Sequence, residues 1–316
     1  MEKKPSWEFL SVPFMLILSL GLSQKANATG LGVASDYNVF TLGNFSEQYT
    51  DVEGKLAAGG NITFVGNSIG SKLAANSGNV VVAGNNLTLS NGQVNNGNIV
   101  YGGSANVSSN EGLPNGTVTK SNPIDFSAAG QELKSLSQNL ASLSANGTTN
   151  VQYGGISLTG TNSQLDIFNL DASTLSSANN FTINSVTGST VVVNVSGTSV
   201  SLQNFGFNIE GTDKQHILFN FYQATSITDS NVGVEGSILA PLANFAFNGG
   251  NVEGNVIVNS LTGVGESHNY LFQGNLPSPS PKTVPESQNL LGLGLIAGIL
   301  GLSHRKTKSD NLLRVL

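Results

Sequence analysis

The sequence predicts a mostly β protein: a β-solenoid (β-helix) of short strands with one long amphipathic α-helix packed alongside. Three observations carry this. Gly236-Ser237-Ile238-Leu239-Ala240 recurs one short period later as Gly254-Asn255-Val256-Ile257-Val258, a step of 254 − 236 = 18. A unit of the same kind, Gly78-Asn79-Val80-Val81-Val82, recurs as Gly97-Asn98-Ile99-Val100-Tyr101, a step of 97 − 78 = 19. Between these blocks, apolar residues fall at Leu133, Leu136, Leu140 and Leu143, the spacing of a helix with one apolar stripe. A short period of apolar strand and Gly/Asn turn is what stacked coils need. Each coil buries its apolar side only against the next.

Composition bounds the rest. The chain has 316 residues, 39% of them hydrophobic and only 10% charged, with 38 glycines and no cysteine. Low charge with abundant Gly, Asn, Ser and Thr would fit disorder, but the Val/Ile/Leu/Phe runs supply an ordered core. The lack of cysteine excludes disulfides and thiolate chemistry. Between Thr29 and Pro281 there are five Lys, no Arg and fifteen Asp or Glu, so the balance is 5 − 15 = −10. Such a segment is a poor partner for nucleic acid or an anionic membrane, because phosphate neutralisation needs Lys and Arg.

Taken in order, Lys3 and Lys4 precede the apolar run FMLILSLGL, and Ala26-Asn27-Ala28 follows. This predicts a secretory signal peptide over 1–28, with Ala26 and Ala28 read by signal peptidase and cleavage after Ala28. A run of about 10 residues is too short to span a bilayer core of about 30 Å. Residues 29–275 form the solenoid domain. Strands are expected around 37–40, 56–62, 78–83, 87–89 and 97–101, with turns at Gly59-Gly60-Asn61 and Asn91-Gly92. The helix is expected over 123–144, with Pro123 in its first turn and Asn146-Gly147 as its stop. Further strands are expected near 165–168, 181–183, 190–195, 199–202, 217–221 and 226–228, all rich in β-branched residues. Residues 276–284 are a stiff Pro/Ser-rich linker. Residues 285–316 hold Pro285-Glu286-Ser287, an apolar run over 290–302 and the basic pair Arg305-Lys306.

Two resemblances follow from these motifs. The tail, with Pro285, Glu286 and Ser287, the Leu/Gly run, and Arg305 and Lys306, resembles the PEP-CTERM sorting signal of Gram-negative bacteria and cyanobacteria. That implies export, an exosortase-type enzyme as partner, and only transient membrane contact through the tail. The motif lacks the second proline, and the chain continues past Lys306 to Leu316. The body resembles the choice-of-anchor A domain through Pro123-Ile124-Asp125-Phe126, Gly236-Ser237-Ile238-Leu239-Ala240-Pro241, Gly250-Asn251-Val252-Glu253-Gly254-Asn255 and Gly265-Glu266-Ser267-His268-Asn269-Tyr270. The resemblance implies a non-enzymatic surface adhesin. The solenoid-plus-helix layout is also similar to bacterial ice-binding domains.

Few residues could carry chemistry. Glu266 and His268 are two apart on an expected strand and so share a face. They form the candidate polar site. One His with one carboxylate is too small a set for a closed metal site. The alternative is that they finish the last coil and satisfy its open edge, with Tyr270 and Phe272 packing inward. Asp51 and Glu53 read as two acids on one face of an exposed loop, short of the oxygens calcium wants. No strand carries a carboxylate pair suited to glycoside hydrolysis. No catalytic residue and no cofactor is expected. Ice binding would require a ladder of small residues such as Thr, yet Leu87-Thr88-Leu89 is followed in the next coil by Ile99-Val100-Tyr101, so no Thr ladder is expected. Of the aromatics Tyr37, Phe40, Tyr101, Tyr153, Phe245 and Phe247, the last two are expected in the core. The function expected is adhesion to extracellular polysaccharide or surface polymers. A structural matrix role and ice binding are the competing readings.

Overall fold

The computed structural model describes residues 30–277. The signal peptide, most of the linker and the whole sorting tail lie outside the described residues.

Within them the chain winds as a parallel β-solenoid with three faces. The first face carries strands such as Thr190–Ser196, Ile217–Asn220, Val39–Thr41, Leu56–Ala58 and Asn79–Ala83. The second carries Phe45–Gln48, Ile62–Val65, Leu87–Ser90 and Ser226–Ser230. The third carries Gly250–Glu253, Glu266–His268, Asp51–Val52 and Ser68–Ile69. The predicted period holds: Ile238 pairs with Val256, Leu239 with Ile257 and Ala240 with Val258, each at the spacing of the repeated unit. In the earlier block Asn98 pairs with Asn79 but Ile99 with Val81, so one strand carries an irregularity that absorbs the longer step.

The coils do not stack in chain order. Val256–Gly263 pairs on one side with Ser237–Phe247 and on the other with both Val39–Thr41 and Phe45–Gln48. The last coil therefore docks on the first, and the seam lies in the middle of the stack. This corrects the expectation that the coil ending in Glu266 and His268 has an open edge. The true ends are the coil of Leu165–Asp171 and the coil of Asn98–Tyr101 with Val118–Lys120. Edge pairing accounts for the arrangement. Two half-solenoids meeting edge to edge satisfy the backbone groups of both inner edges.

The helix α1, Phe126–Ala141, is shorter than expected. At 1.5 Å per residue its 16 residues span about 24 Å, or about five strands. Leu133, Leu136 and Leu140 are buried as the spacing required, and Leu143 packs partly buried just beyond the end. They cover the outward residues of the first face, among them Val192, Leu218, Leu239, Ile257 and Phe40. That set crosses the seam, so α1 braces both halves. Its caps differ from the reading of the sequence. Asp125 is the N-cap, accepting from the Ala128 N–H at 2.9 Å, and Pro123 lies outside. Ser142 ends the helix, while Asn146 Oδ1 accepts from the Ile167 N–H at 2.6 Å and covers a strand edge. Asn220 locks the helix in place: its Oδ1 accepts from Ser137 Oγ at 2.6 Å and its Nδ2 donates to Ser137 O at 2.8 Å.

A second short helix, α2 at Ala172–Ser176, carries no apolar stripe that the sequence would show. It packs on the edge strand Ser199–Gln203, where Ser176 Oγ accepts the Ser201 N–H at 2.9 Å. Phe245 and Phe247 stack in the core with ring centres 4.9 Å apart, as expected.

Candidate functional site

The second face is built by strict alternation. In Phe45–Gln48, Phe45 and Glu47 point in and Ser46 and Gln48 point out. Because the strands are parallel and in register, outward residues line up from coil to coil. One column runs Ser201, Thr228, Ala246, Thr262, Ser46, Thr63, Thr88, Asn106. At about 4.8 Å per rung it is about 34 Å tall. Six of its eight members carry a hydroxyl, and none of those hydroxyls bonds to another protein group among the described residues.

This column overturns the expectation that no Thr ladder exists. Reading along the sequence sets Thr88 against Val100, in the next apolar strand along the chain, but Val100 belongs to the first face, beneath the helix. The register partners of Thr88 are Thr63 and Asn106.

A second column lies two residues earlier along each strand, about 7 Å away. It includes Ser199, Ser226, Asn244 and Ser260. Its amides are occupied. Asn44 Oδ1 accepts the Asn61 N–H at 2.8 Å, Asn61 Oδ1 the Asn86 N–H at 3.1 Å, and Asn86 Oδ1 the Ser104 N–H at 3.0 Å. This column stitches the coils together. The hydroxyl column beside it stays free for a ligand. Neither column contains a charged residue.

The third face holds the candidate polar site. Glu266–His268 pairs with Gly250–Glu253 on one side and Asp51–Val52 on the other, so it is an inner strand. The expectation that these residues satisfy an open edge is therefore wrong, because the first coil covers that edge. Glu266 and His268 do share a face. His268 Nδ1 lies 2.6 Å from Glu253 Oε1, and its Nε2 lies 3.2 Å from Glu266 Oε2. Lys214 Nζ reaches Glu253 Oε2 at 2.8 Å and Glu235 Oε2 at 3.4 Å, and lies 4.2 Å over the Tyr270 ring. Phe272 packs inward as expected, but Tyr270 is exposed under Lys214. Asp51 stands in a strand, not a loop, and Glu53 Oε2 accepts the Asn269 N–H at 3.1 Å.

The electrostatics are closed. Burial opposes charge on His268, but the hydrogen bond and charge of Glu253, with Glu266, outweigh it and raise its pKa above the usual range. Burial likewise opposes charge on Glu253, and Lys214 and His268 outweigh it, lowering its pKa. Burial, then the nearby Glu266 and Glu53 carboxylates, raise Asp51. With both ring nitrogens of His268 held by carboxylates, no lone pair faces a metal. Among the described residues no group of three or more His, Asp or Glu is arranged to hold a metal ion. The cluster ties strands of the C-terminal half to one another, and beside it Glu53 at the Asn269 N–H joins the last coil to the first.

Two acids missed by sequence reasoning lie inside the solenoid. Glu47 is 3% exposed with both carboxyl oxygens unpartnered, and burial pushes its pKa well up. Asp229 is fully buried. Burial raises its pKa to about 7, against a hydrogen bond from the Val232 N–H at 2.9 Å. Both occupy strand positions that alternation assigns to the core.

A family model described as "Putative Ice-binding-like adhesive domain" matches residues 30–269. No curated protein matches the sequence. Among solved structures, an ice binding protein from an Antarctic biological consortium is similar at 15% identity with a TM-score of 0.41, covering 77% of this chain and 90% of that one. An ice-binding protein from the Antarctic ascomycete Antarctomyces psychrotrophicus is similar at 11% identity and TM-score 0.41, covering 79% and 98%. The ice-binding protein LeIBP from an Arctic yeast is similar at 13% identity and TM-score 0.36, covering 81% and 97%.

Proposed function

The chain belongs to the ice-binding-like adhesive domain family, and from that premise we propose that it is a non-enzymatic surface adhesin whose second face binds an uncharged extracellular polysaccharide. The observation that carries this is the column from Thr228 to Thr88, free hydroxyls at a fixed repeat on a rigid sheet. One such hydrogen bond contributes about 0.5–1.5 kcal/mol net. A ligand must therefore engage several rungs at once, which selects a partner that is itself repetitive. The absence of charge from both columns fits a neutral partner. The rigid sheet also limits the ordering cost of binding.

A second reading is ice, favoured by the same column, because a regular hydroxyl lattice can also order water. One experiment separates them. In the full-length chain, Thr63→Glu with Thr262→Glu places two charges mid-column. Wild type is expected to sediment with particles of an uncharged polysaccharide such as cellulose or chitin, and the double variant is not. Equal sedimentation of the two would sink the polysaccharide reading. Thermal hysteresis by wild type, lost in the variant, without polysaccharide binding, would move the assignment to ice.

The cell address is part of the proposal. Export by signal peptidase cleavage after Ala28, and sorting at Pro285, Glu286 and Ser287 by an exosortase-type enzyme, fit an adhesive domain of the cell surface or matrix. Mass spectrometry of the protein from its native cells checks both ends. A mature species that retains residues 1–28 or extends through Arg305 and Lys306 contradicts the corresponding step.

A further inference from the structure

Where the second and third faces meet, the chain turns with a residue of positive φ. In five coils this corner residue is Asn204 (φ 62), Asn231 (φ 64), Tyr49 (φ 54), Gly66 (φ 66) and Asn91 (φ 62), while the two coils between those of Asn231 and Tyr49 turn through Gly249 (φ 111) and Gly263 (φ 150). Register makes them equivalent: Gln48 pairs with Val65 and Val65 with Ser90, each just before its corner. Asn and Gly are the residues that tolerate the left-handed region, and a tyrosine there is strained. Among the described residues, of eight non-glycine residues with positive φ, six are Asn; the two exceptions are Tyr49 and Tyr153. Tyr153 is at the tip of a tight hairpin. Tyr49 stands at a corner that the other four of these coils fill with Asn or Gly.

Its ring is placed for use. Tyr49 is 75% exposed. A Cβ on Gly66 would come within 2.6 Å of a ring carbon, so one side of the ring rests on glycine backbone. The ring borders a depression of about 740 Å³ that Asp51, Asn67, Ser68, Asn91 and Glu266 also line. No aliphatic or phenylalanine side chain lines it. Asn67 is only 5% exposed, and its Oδ1 has no hydrogen-bond partner. The depression thus offers one aromatic platform ringed by hydroxyl, amide and carboxylate groups.

The geometry points to a second binding site here, in which a pyranose unit of a polysaccharide stacks on Tyr49 and bonds through its hydroxyls to Asp51, Ser68, Asn91 and Glu266. A sugar ring presents an apolar C–H face and a rim of hydroxyls, and the depression mirrors both. A peptide would need an apolar centre that is missing here. An anionic ligand would meet Asp51 and Glu266. This deepens the polysaccharide reading but uses residues outside the hydroxyl column, so the two can fail separately.

The test is calorimetric titration of the full-length chain with cellohexaose and chitohexaose. Tyr49→Asn installs the residue that other coils use at this corner, so it is expected to fold with an unchanged or higher melting temperature. It should weaken hexaose binding by about tenfold or more. Tyr49→Phe should stay within about threefold of wild type. Thr63→Glu with Thr262→Glu should keep hexaose binding if the site is at Tyr49. Undiminished binding by Tyr49→Asn overturns the proposal, as does wild type that binds neither hexaose at about 1 mM. Loss in the Thr63/Thr262 variant with retention in Tyr49→Asn also overturns it, and places the sugar on the second face instead.

Discussion

The second and third faces are separate parallel ladders wound by the same coils, and they differ most in what projects from them. On the second face the outward column is Ser, Thr, Ala and Asn, and its hydroxyls have no partner in the protein among the described residues. On the third face Glu253, Glu266, His268 and Lys214 hold one another at 2.6 to 3.2 Å. Binding capacity follows from this contrast. A group satisfied on both sides within the fold, as His268 and Glu253 are, has little left for a ligand, however reactive its residue type. These chemically conspicuous residues are taken up by one another, and the bland ones form the free second face.

That contrast can be broken most severely behind the third face, at the seam. Asn255 is fully buried; its Nδ2 donates to Tyr37 O at 2.7 Å and its Oδ1 accepts the Phe272 N–H at 2.8 Å. Asn255→Ala strands both partners, at about 1–3 kcal/mol each, plus a small cavity. A loss of about 3–6 kcal/mol in chemical denaturation is expected. Polysaccharide binding well below the melting temperature should persist, because the second face is untouched. Next in size is Asp229→Asn. The folded-state pKa of about 7 lies above the ordinary 3.8, so the fold favours the protonated form. Wild-type stability should fall as pH rises from about 4 to about 7, at up to about 1.4 kcal/mol per unit, then level off. The variant lacks this slope but leaves an amide N–H unpartnered. It should be the less stable protein at pH 4 and the more stable at pH 8, by about 1–3 kcal/mol. Parallel urea curves at the two pH values would show the idea wrong.

What the sequence reveals divides along the same line. The strand-and-turn period is readable because Ile238 and Val256 stack directly, with no insertion between coils. The stripe Leu133, Leu136, Leu140 is readable because helix periodicity is local. The hydroxyl column is hidden because coil lengths vary. Successive rungs from Ser46 through Thr63 and Thr88 to Asn106 step by 63 − 46 = 17, 88 − 63 = 25 and 106 − 88 = 18. The long middle step loops out around 70–78, so a step of 63 + 18 = 81 from Thr63 lands on Val81, in the first-face strand Asn79–Ala83, and misses Thr88. The seam is hidden for another reason. Val39 pairs with Val256, from the opposite end of the domain, and local sequence records no such pairing. Glu266 and His268 are correctly placed on one face by alternation alone. Their partners Glu253 and Lys214 come from other strands and loops, which alternation does not reach.

The electrostatic clasp of the third face allows a smaller test. His268 has a raised pKa, so its charge contributes stability that is fully present below about pH 6.5 and lost as pH rises through its folded-state value. Its side chain is a quarter exposed, which weakens the pairs by screening. His268→Ala should therefore cost about 1–2 kcal/mol at pH 5.5 and clearly less at pH 9. Equal cost at both would mean that packing, not charge, is what His268 provides. Binding at the second face should not change at either pH.

The smallest stability effect is expected at the centre of the free column. Thr63→Val keeps the branched shape that a strand favours and removes one hydroxyl that has no partner in the fold. Stability should stay within about 0.5 kcal/mol of wild type, since nothing in the protein loses a hydrogen bond. Binding should respond on its own. If the polymer is held by hydrogen bonds from the column, losing one rung costs about 0.5–1.5 kcal/mol, a twofold to tenfold weaker interaction in sedimentation with polysaccharide. If Thr63→Val binds as wild type while the paired Glu substitutions abolish binding, the face works through flatness and the absence of charge. Its hydroxyls then matter as spacers, and the comparison with the third face reduces to charge alone.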